Sequence, residues 1–257
     1  MYDHTDPLEC DPPGTFRQAI PHPGGREEAI EKAVIMEHRF AFFFWLKWRN
    51  LLRDRKLLEQ PAPTLVTIDW HRDMAPPGDE QKEKLLQLDQ SNLPDVASHV
   101  WAEFDQTNDG HIHCATWLNV VGDVILLKNS AGEMSDTVTD HEGNGHTVYE
   151  FREFERFQEF MLERDDQNIF FDIDLDYFIH GKGNRHYSEE FSRYSDAEIR
   201  NIVDNSKPVF KHMLPKIDGI TLAMEPGYCG GITNSCHIMN VVHSQLFDDR
   251  KGWNHLE

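Results

Sequence analysis

The sequence predicts a single-domain α/β protein with three layers, α/β/α, in which helices cover both faces of a mostly parallel central sheet. Short apolar segments alternate along the chain with longer segments of helical pattern. The length of 257 residues suits one large domain with a sizeable core. Hydrophobic residues make up 39% and charged residues 27% of the chain, which is the composition of a globular protein rather than a disordered one.

The N-terminal part of the chain predicts an arm followed by an aromatic segment. Residues 1–25 carry several prolines and glycines and are expected to form an arm or loop, with the folded domain over residues 26–255. Residues 33–52 are dense in apolar and aromatic side chains. This segment predicts either one buried helix or a short strand followed by a helix beginning near Glu37 and His38, because periodicity does not separate the two.

The remaining elements alternate between strand and helix. PAPTLVTIDW predicts a buried strand ending at Asp69, and further short apolar strands are expected at 123–127, 168–174 and 219–225. Helices are expected over about 80–88, in EFREFERFQEFMLER and in DAEIRNIVDNSKPVFKHML. The final residues 256–257 are interpreted as a cloning scar. In such folds ligands bind at the carboxyl ends of the strands.

Charge and cysteine usage restrict the partners and the compartment that we expect. Lys and Arg total 25 against 45 Asp and Glu, a net charge of -20, which argues against nucleic acid or an anionic membrane as partner. The sequence contains no run of about 18 apolar residues and no signal-peptide pattern. The four cysteines lack metal-binding spacing. We therefore expect reduced thiols in a cytoplasmic protein.

Acidic residues and histidines follow three of the predicted strands at alternating spacing. They are D-W-H-R-D over 69–73, D-I-D-L-D over 172–176, and Glu225 in MEPGYCGG. Alternate side chains of an extended segment point the same way, and closely spaced carboxylates are tolerated when a cation neutralises them. A lone D-x-D is more often a solvated turn, but two such clusters at strand ends favour divalent metal ions. Two ions side by side are what two-metal hydrolysis requires.

These motifs resemble those of the ureohydrolases (arginase, agmatinase, formiminoglutamase). IDWHRD is similar to their D-A-H-x-D, and FFDIDLDYF is similar to their S-x-D-x-D. Met36-Glu37-His38 occupies the place of the family's G-G-D-H motif, although the two glycines are missing. The resemblance spans roughly residues 33–231 and looks closer to the branch of the peptide arginases, which end in an E-P-x-x-C-G-G-like motif. The usual proline after the late acids is absent, and the region between Asp73 and Asp172 is rearranged.

The resemblance implies an arginase/deacetylase-like fold and a hydrolase acting on linear C–N bonds other than peptide bonds. It implies two divalent metal ions, Mn²⁺ in the family, which suits carboxylate and imidazole ligands. A metal-bridging hydroxide would attack the guanidino carbon of arginine or an arginyl peptide, giving ornithine and urea. Carried over by position, the implied metal ligands are His38 and Asp73 for one ion, His71 and Asp174 for the other, and Asp69 and Asp172 shared between them.

The resemblance also implies a glutamate that binds the guanidinium and a histidine that shuttles protons. Glu225 matches the glutamate, whose carboxylate suits the bidentate geometry of that group. NDGHIHCATWL offers His111 and His113 for the shuttle, and His111 is preferred because it lies nearer the loop. Asp176 falls outside the implied ligand pattern. It is expected to be either a hydrogen-bond partner of a ligand or a solvated acid.

Two other functions use the same residues. A deacetylase on this fold keeps one metal site, with D-x-H and one later Asp, so the presence of His38, Asp73 and Asp174 favours the two-metal form. A catalytically inactive binding protein would retain clustered carboxylates that only lower its stability. The expected substrate is a small guanidino compound or an arginine-containing peptide, and the resemblance allows a homo-oligomer. His141 and His146 are five positions apart, and two of the residues between them are glycines. This segment predicts a loop rather than an H-E-x-x-H helix.

Overall fold

An eight-stranded β-sheet forms the centre of the molecule. The computed structural model describes residues 11–57, 62–130, 132, 134–180 and 192–247. The strands in chain order are β1 (Phe16–Pro21), β2 (Ala29–Ile35), β3 (Thr64–Asp69), β4 (Val124–Lys128), β5 (Ser135–Thr139), β6 (Gly145–Phe151), β7 (Ile169–Asp174), β8 (Ile179–His180), β9 (Ser192–Arg193) and β10 (Ile217–Ala223). Their order in the sheet is β1-β2-β10-β7-β3-β4-β6-β5, and β8 and β9 form a separate two-stranded pair.

The sheet is parallel except at its two edges, which confirms the predicted mostly parallel sheet. β2, β10, β7, β3, β4 and β6 run parallel, whereas β1 and β5 pair antiparallel with β2 and β6. β1 lies within residues 1–25, which were expected to form an arm or loop. That part of the arm is an edge strand paired along its whole length, from Phe16 with Val34 to Pro21 with Ala29. Residues 1–10 and the interpreted cloning scar at 256–257 lie outside the described residues.

Helices cover both faces of the sheet, so the three-layer prediction is also confirmed. The helices are α1 (Ala41–Asp54), α2 (Asp79–Gln87), α3 (Leu93–Ala102), α4 (His111–Trp117), α5 (Phe154–Glu163), α6 (Asp196–Ile202), α7 (Pro208–Met213) and α8 (Ile232–Leu246). Two hydrophobic cores result, because α1–α4 pack on one face of the sheet and α5–α8 on the other. Within the described ranges, no helix is long and apolar enough to cross a membrane.

The aromatic segment forms a strand and a helix, the second of the two predicted alternatives. β2 ends at Ile35, the short 3-10 helix His38–Phe40 follows, and α1 then begins. Nearly every side chain in the first half of α1 is buried, because the helix packs against β10 of the sheet and against α3 and α4. Gly219 in β10 allows this close approach, since a Cβ at that position would overlap the Trp48 indole.

Two predicted helices differ from the structure in their bounds. EFREFERFQEF was expected to be helical throughout, but Glu150 and Phe151 end β6 and α5 begins at Phe154. DAEIRNIVDNSKPVFKHML divides into α6 and α7, because Pro208 restricts the residue before it and begins the second helix. Residues 141–146 form the turn between β5 and β6 and the start of β6, so the rejected H-E-x-x-H helix is indeed absent there.

Candidate metal centre

The candidate site lies at the carboxyl edge of four adjacent strands. β2, β10, β7 and β3 are neighbours in the sheet, and their chain continuations carry the histidines and acids singled out above. His38 follows β2, Glu225 follows β10, and the two D-x-D-type clusters follow β7 and β3. Parallel pairing therefore brings together residues that are up to 187 positions apart in the sequence, as the bond between His38 and Glu225 illustrates.

One group of side chains surrounds the Nδ1 atom of His38. Carboxylate oxygens of three aspartates face this atom, at 3.0 Å for Asp73, 3.3 Å for Asp174 and 3.6 Å for Asp69. Ligand atoms of all four residues lie within 4.8 Å of one another. His38 is fully buried, and the three aspartates are nearly so. This arrangement gathers one imidazole and three carboxylates around a common point.

A second group adjoins the first and reaches toward solvent. His71 Nδ1 lies 3.1 Å from Asp176 Oδ2, and Asp69 completes this group within 4.8 Å. The His71 side chain is 44% exposed, whereas Asp176 is buried. Asp69 belongs to both groups, and Asp174 also lies within 4.8 Å of Asp176 and Glu225. Asp69 and Asp174 are therefore the carboxylates between the two candidate positions.

Asp172, for which a shared metal-ligand role was expected, makes contacts of a different kind from those of the other acids. Its carboxylate accepts hydrogen bonds from the Thr67 hydroxyl at 2.7 Å, from the Thr221 hydroxyl, and from His38 Nε2 at 2.8 Å. Thr67 and Thr221 are its direct cross-strand neighbours in β3 and β10. Because its oxygens are occupied by these donors, Asp172 is placed to hold the His38 ring rather than to face the shared point.

The difference from the sequence interpretation is a shift of two residues along one strand. Asp172, Asp174 and Asp176 alternate in D-I-D-L-D, so an extended segment puts all three on one face, and both 172/174 and 174/176 fit a D-x-D pattern. Asp172 lies within β7, Asp174 ends it, and Asp176 follows in the 3-10 helix Leu175–Phe178. Only the last two therefore reach the edge where the ends of β2 and β3 also arrive. Asp176, which the resemblance left outside the ligand pattern, lies in the site.

The buried carboxylates of the site have the electrostatic properties of a cation-binding site. Asp69 Oδ2 is buried and has no hydrogen-bond partner among the described residues. Burial, with the neighbouring aspartates adding to it, raises the pKa of Asp69 well above its usual range and that of Asp174 to about 7. Burial also raises the pKa of Asp73, although His38 partly offsets it. Clustered buried carboxylates of this kind are stabilised by a divalent cation, and oxygen-rich sites with imidazole suit Mn²⁺.

His111 lies against the site and His113 does not. The His111 and His38 rings make an edge contact with centroids 4.3 Å apart, and His111 Nδ1 is 3.8 Å from Asp73 Oδ2. Burial and the nearby His38 hold the pKa of His111 well below its usual value, which favours a neutral ring. His113 is half-buried and its Nδ1 faces the Met74 carbonyl at 3.1 Å.

Glu225 and Asn108 form a pair that connects the site to a cleft. Glu225 Oε1 accepts hydrogen bonds from the His38 backbone N–H at 3.0 Å and from the Asn108 side-chain amide. Burial, with Asp174 nearby, raises the pKa of Glu225 well above its usual range. Both residues line a cleft of about 500 Å³, together with Trp101 and Tyr228. A cleft of that volume can hold a ligand larger than one amino acid.

The backbone is strained at three positions around His38. Asp73, Asn108 and Glu225 are non-glycine residues with φ of 49°, 61° and 38°. Such conformations cost free energy and concentrate at functional sites. The sequence interpretation had not singled out Asn108. An Asn before Asp-Gly tolerates the left-handed region, and that feature could have marked it. Polar Thr67 and Thr221 inside apolar strands could likewise have pointed to a buried hydrogen-bond network.

Comparisons with known proteins add a distant structural likeness. No protein-family model matches the sequence, and no curated protein matches it. The chain is similar to the crystal structure of Helicobacter pylori arginase, at 12% identity and a TM-score of 0.42, over 83% of this chain and 71% of that one. It is also similar to arginase from Bacillus subtilis, at 11% identity and a TM-score of 0.35, over 81% of this chain and 79% of that one. A likeness at this level carries no conclusion about activity.

Proposed function

We propose that the protein is a metal-dependent hydrolase that cleaves a linear C–N bond of a guanidino group, using water to release urea and an amine. The observation that carries this proposal is the pair of adjoining carboxylate–imidazole groups that share Asp69, beside a buried Glu225 in a cleft. The resemblance of the motifs to ureohydrolases supports the same activity. The net charge of -20 suits a cationic substrate.

The proposed ligand set differs from the one that the resemblance implied at two positions. His38 and Asp73 would bind one divalent ion, and His71 and Asp176 would bind the other. Asp69 and Asp174 would be shared, because Asp69 belongs to both groups and Asp174 lies within 4.8 Å of Asp176 as well as of His38. Asp172 is left out of the set, since its oxygens already accept three hydrogen bonds. Mn²⁺ is the metal that we propose for both positions.

Divalent ions at these positions would supply Lewis acidity and a bound water of lowered pKa. The protein's own groups would position the substrate. Glu225 is a buried acid that lines the cleft, and its carboxylate would pair with a guanidinium through charge-assisted hydrogen bonds. The hydrogen bonds from His38 N–H and Asn108 hold the Oε1 atom of Glu225 in place for this contact.

His111 is proposed to move the proton that the departing amine requires. Its Nδ1 faces the Asn108 carbonyl at 3.1 Å, which makes Nδ1 the protonated nitrogen. Nε2 is then the basic nitrogen, and this buried atom has no hydrogen-bond partner in the part of the chain that the structure describes. A neutral imidazole next to the proposed ligands suits general acid–base work.

The geometry favours this function over amide hydrolysis with one metal ion. A one-metal deacetylase would use Asp69, His71 and one later aspartate, and would not need His38 and Asp73 as a second imidazole–carboxylate group beside them. In this chain Asp69 lies between the two groups, which is the arrangement that a pair of ions requires. The amide-hydrolase alternative therefore predicts about one metal ion per chain, and the proposed function predicts two.

The test is urea release by Mn²⁺-loaded protein from arginine, agmatine and an arginine-containing peptide. We expect urea from at least one of them, and the peptide arm tests the likeness to peptide arginases. Glu225→Gln should lower kcat/KM by about 10–100-fold or more, the loss expected for a hydrogen bond to a charged group. Glu142→Gln, in the exposed turn before β6, is the matched control. Protein that holds two metal ions but releases no urea from any guanidino substrate would contradict the proposal.

A further inference from the structure

We propose that Asn108 is a positioning residue that fixes both Glu225 and His111, and this inference rests on the proposed function. Asn108 precedes α4 in the N-D-G turn and is only 6% exposed. It lines the 500 Å³ cleft together with Glu225, and it also lines a smaller cavity of about 90 Å³ together with His111. Asn108 is thus the residue between the two groups to which we assign substrate binding and proton transfer.

The side chain of Asn108 acts on Glu225. The NH₂ of the amide donates to Glu225 Oε1, the same oxygen that accepts from the His38 backbone N–H. The amide carbonyl Oδ1 is then left buried without a partner among the described residues. Leaving a buried acceptor unpaired is unfavourable. The left-handed backbone accounts for Asn or Gly at this position, and the bond to Glu225 is what the Asn side chain adds.

The main chain of Asn108 acts on His111. Its carbonyl oxygen lies 3.1 Å from His111 Nδ1, so the ring donates through Nδ1 and keeps its lone pair on Nε2. This contact depends on the left-handed backbone of Asn108, whose φ of 61° turns the chain into α4. One residue thus sets the orientation of Glu225 through its side chain and the tautomer of His111 through its backbone.

Asn108→Gly separates these two effects. Glycine adopts a positive φ without strain, so the variant keeps the backbone and the contact to His111 while it removes the amide. Asn119→Gly is the matched control. Asn119 is also 6% exposed, has a φ of 54° and carries a buried Oδ1 without a partner, but it lies beyond the end of α4, outside the site.

We expect Asn108→Gly to lower kcat/KM for the guanidino substrate by about 10–100-fold, the effect of losing a hydrogen bond to a charged group. Asn119→Gly should stay within about twofold of wild type, and both variants should hold the same amount of Mn²⁺ per chain. In a Glu225→Gln background, Asn108→Gly should cost much less than it does alone, because both changes remove the same charge-assisted bond.

A crystal structure of Mn²⁺-loaded Asn108→Gly provides a readout that does not depend on activity. We expect the Glu225 carboxylate to leave its wild-type position while the His111 ring keeps its own. The inference would be overturned if the Glu225 carboxylate kept its wild-type position or if kcat/KM were unchanged in Asn108→Gly. It would also be overturned if Asn108→Gly lowered kcat/KM as much in the Glu225→Gln background as in the wild type. Absence of urea from the wild-type protein would refute the proposed function alone, and the position of Glu225 would then decide the role of Asn108.

Discussion

Two buried carboxylates beside His38, those of Asp172 and Asp69, differ in how many hydrogen-bond donors face them. Asp172 accepts from two threonine hydroxyls and from the His38 ring, so it has little capacity left for a cation. Asp69 carries a buried oxygen without any hydrogen-bond partner in the described chain. Asp176 accepts a hydrogen bond from the Trp70 N–H at 3.1 Å through Oδ1, and its Oδ2 lies 3.1 Å from His71 Nδ1. The contacts of Asp172 suit a residue that orients a metal ligand, and the unpartnered oxygen of Asp69 suits a ligand itself.

This division predicts different consequences for two substitutions on the same strand end. Asp176→Asn should reduce bound Mn²⁺ from two ions per chain to about one, because it removes a proposed ligand of the second ion. Asp172→Asn should keep both ions but weaken their binding by about 10–100-fold, the usual effect of changing the partner of a metal-binding histidine. Metal content by mass spectrometry and calorimetric titration with Mn²⁺ distinguish the two. The reverse pattern would restore Asp172 to the ligand set.

Substitutions of the two histidines of NDGHIHC, His111 and His113, should differ in their effect on kcat. His111→Asn should lower kcat by about 100–10,000-fold, the usual contribution of a general acid or base, with metal content unchanged. His113→Asn should have an effect of only a few fold, since His113 faces the Met74 carbonyl outside the site. Steady-state kinetics of urea release measures both. A larger loss for His113→Asn would exchange their roles.

At the scale of the elements, the packing of α1 against the sheet positions the aspartates of the site. The helix packs on the sheet face from which Asp69, Asp172 and Asp174 project, and the Trp45 indole N–H lies 3.3 Å from the Thr221 hydroxyl that donates to Asp172. The chain of contacts from α1 through β10 to β7 thus ends at the His38 ring. The close approach of α1 to β10 at Gly219 is part of the same packing.

Gly219→Ala should therefore destabilise the fold. The added methyl would overlap the Trp48 indole, and overpacking of this kind costs about 1–3 kcal/mol. Gly78→Ala is the control, because a Cβ at that position meets open space and its φ of -67° is accessible to any residue. Denaturant unfolding followed by circular dichroism gives both free energies. Equal stability of the two variants would show that α1 can shift away from β10 without cost.

At the scale of the whole molecule, the fold was more predictable from the sequence than the site. Apolar segments separated by helical ones predict a parallel sheet, and the acids that follow those segments predict which edge carries the chemistry. The sequence does not determine which two acids of D-I-D-L-D reach that edge, since alternation puts all three on one face. That choice depends on where β7 ends relative to β2 and β3. The pairing of β1 with the edge of the sheet also cannot be predicted from the β1 residues alone, because it depends on the position of β2.

The concentration of negative charge predicts that the protein's stability depends on metal ions. Ions that bind only the folded state stabilise it by about 2.7 kcal/mol at 100 times the dissociation constant. Two such ions should raise Tm by roughly 10 °C or more for a chain of this size. Thermal unfolding with Mn²⁺ and with EDTA, at matched ionic strength, measures the shift. Asp69→Asn should lose most of it, and an equal Tm in both buffers would contradict metal binding.

The position of the ions themselves tests the central claim most directly. We would collect anomalous diffraction at the manganese absorption edge from crystals of the Mn²⁺-loaded protein. Two peaks are predicted, one bound by His38 and Asp73 and the other by His71 and Asp176, with Asp69 and Asp174 contacting both. A single peak, a peak bound by Asp172, or no peak at the carboxyl edge of the sheet would contradict the two-metal site from which the proposed function is argued.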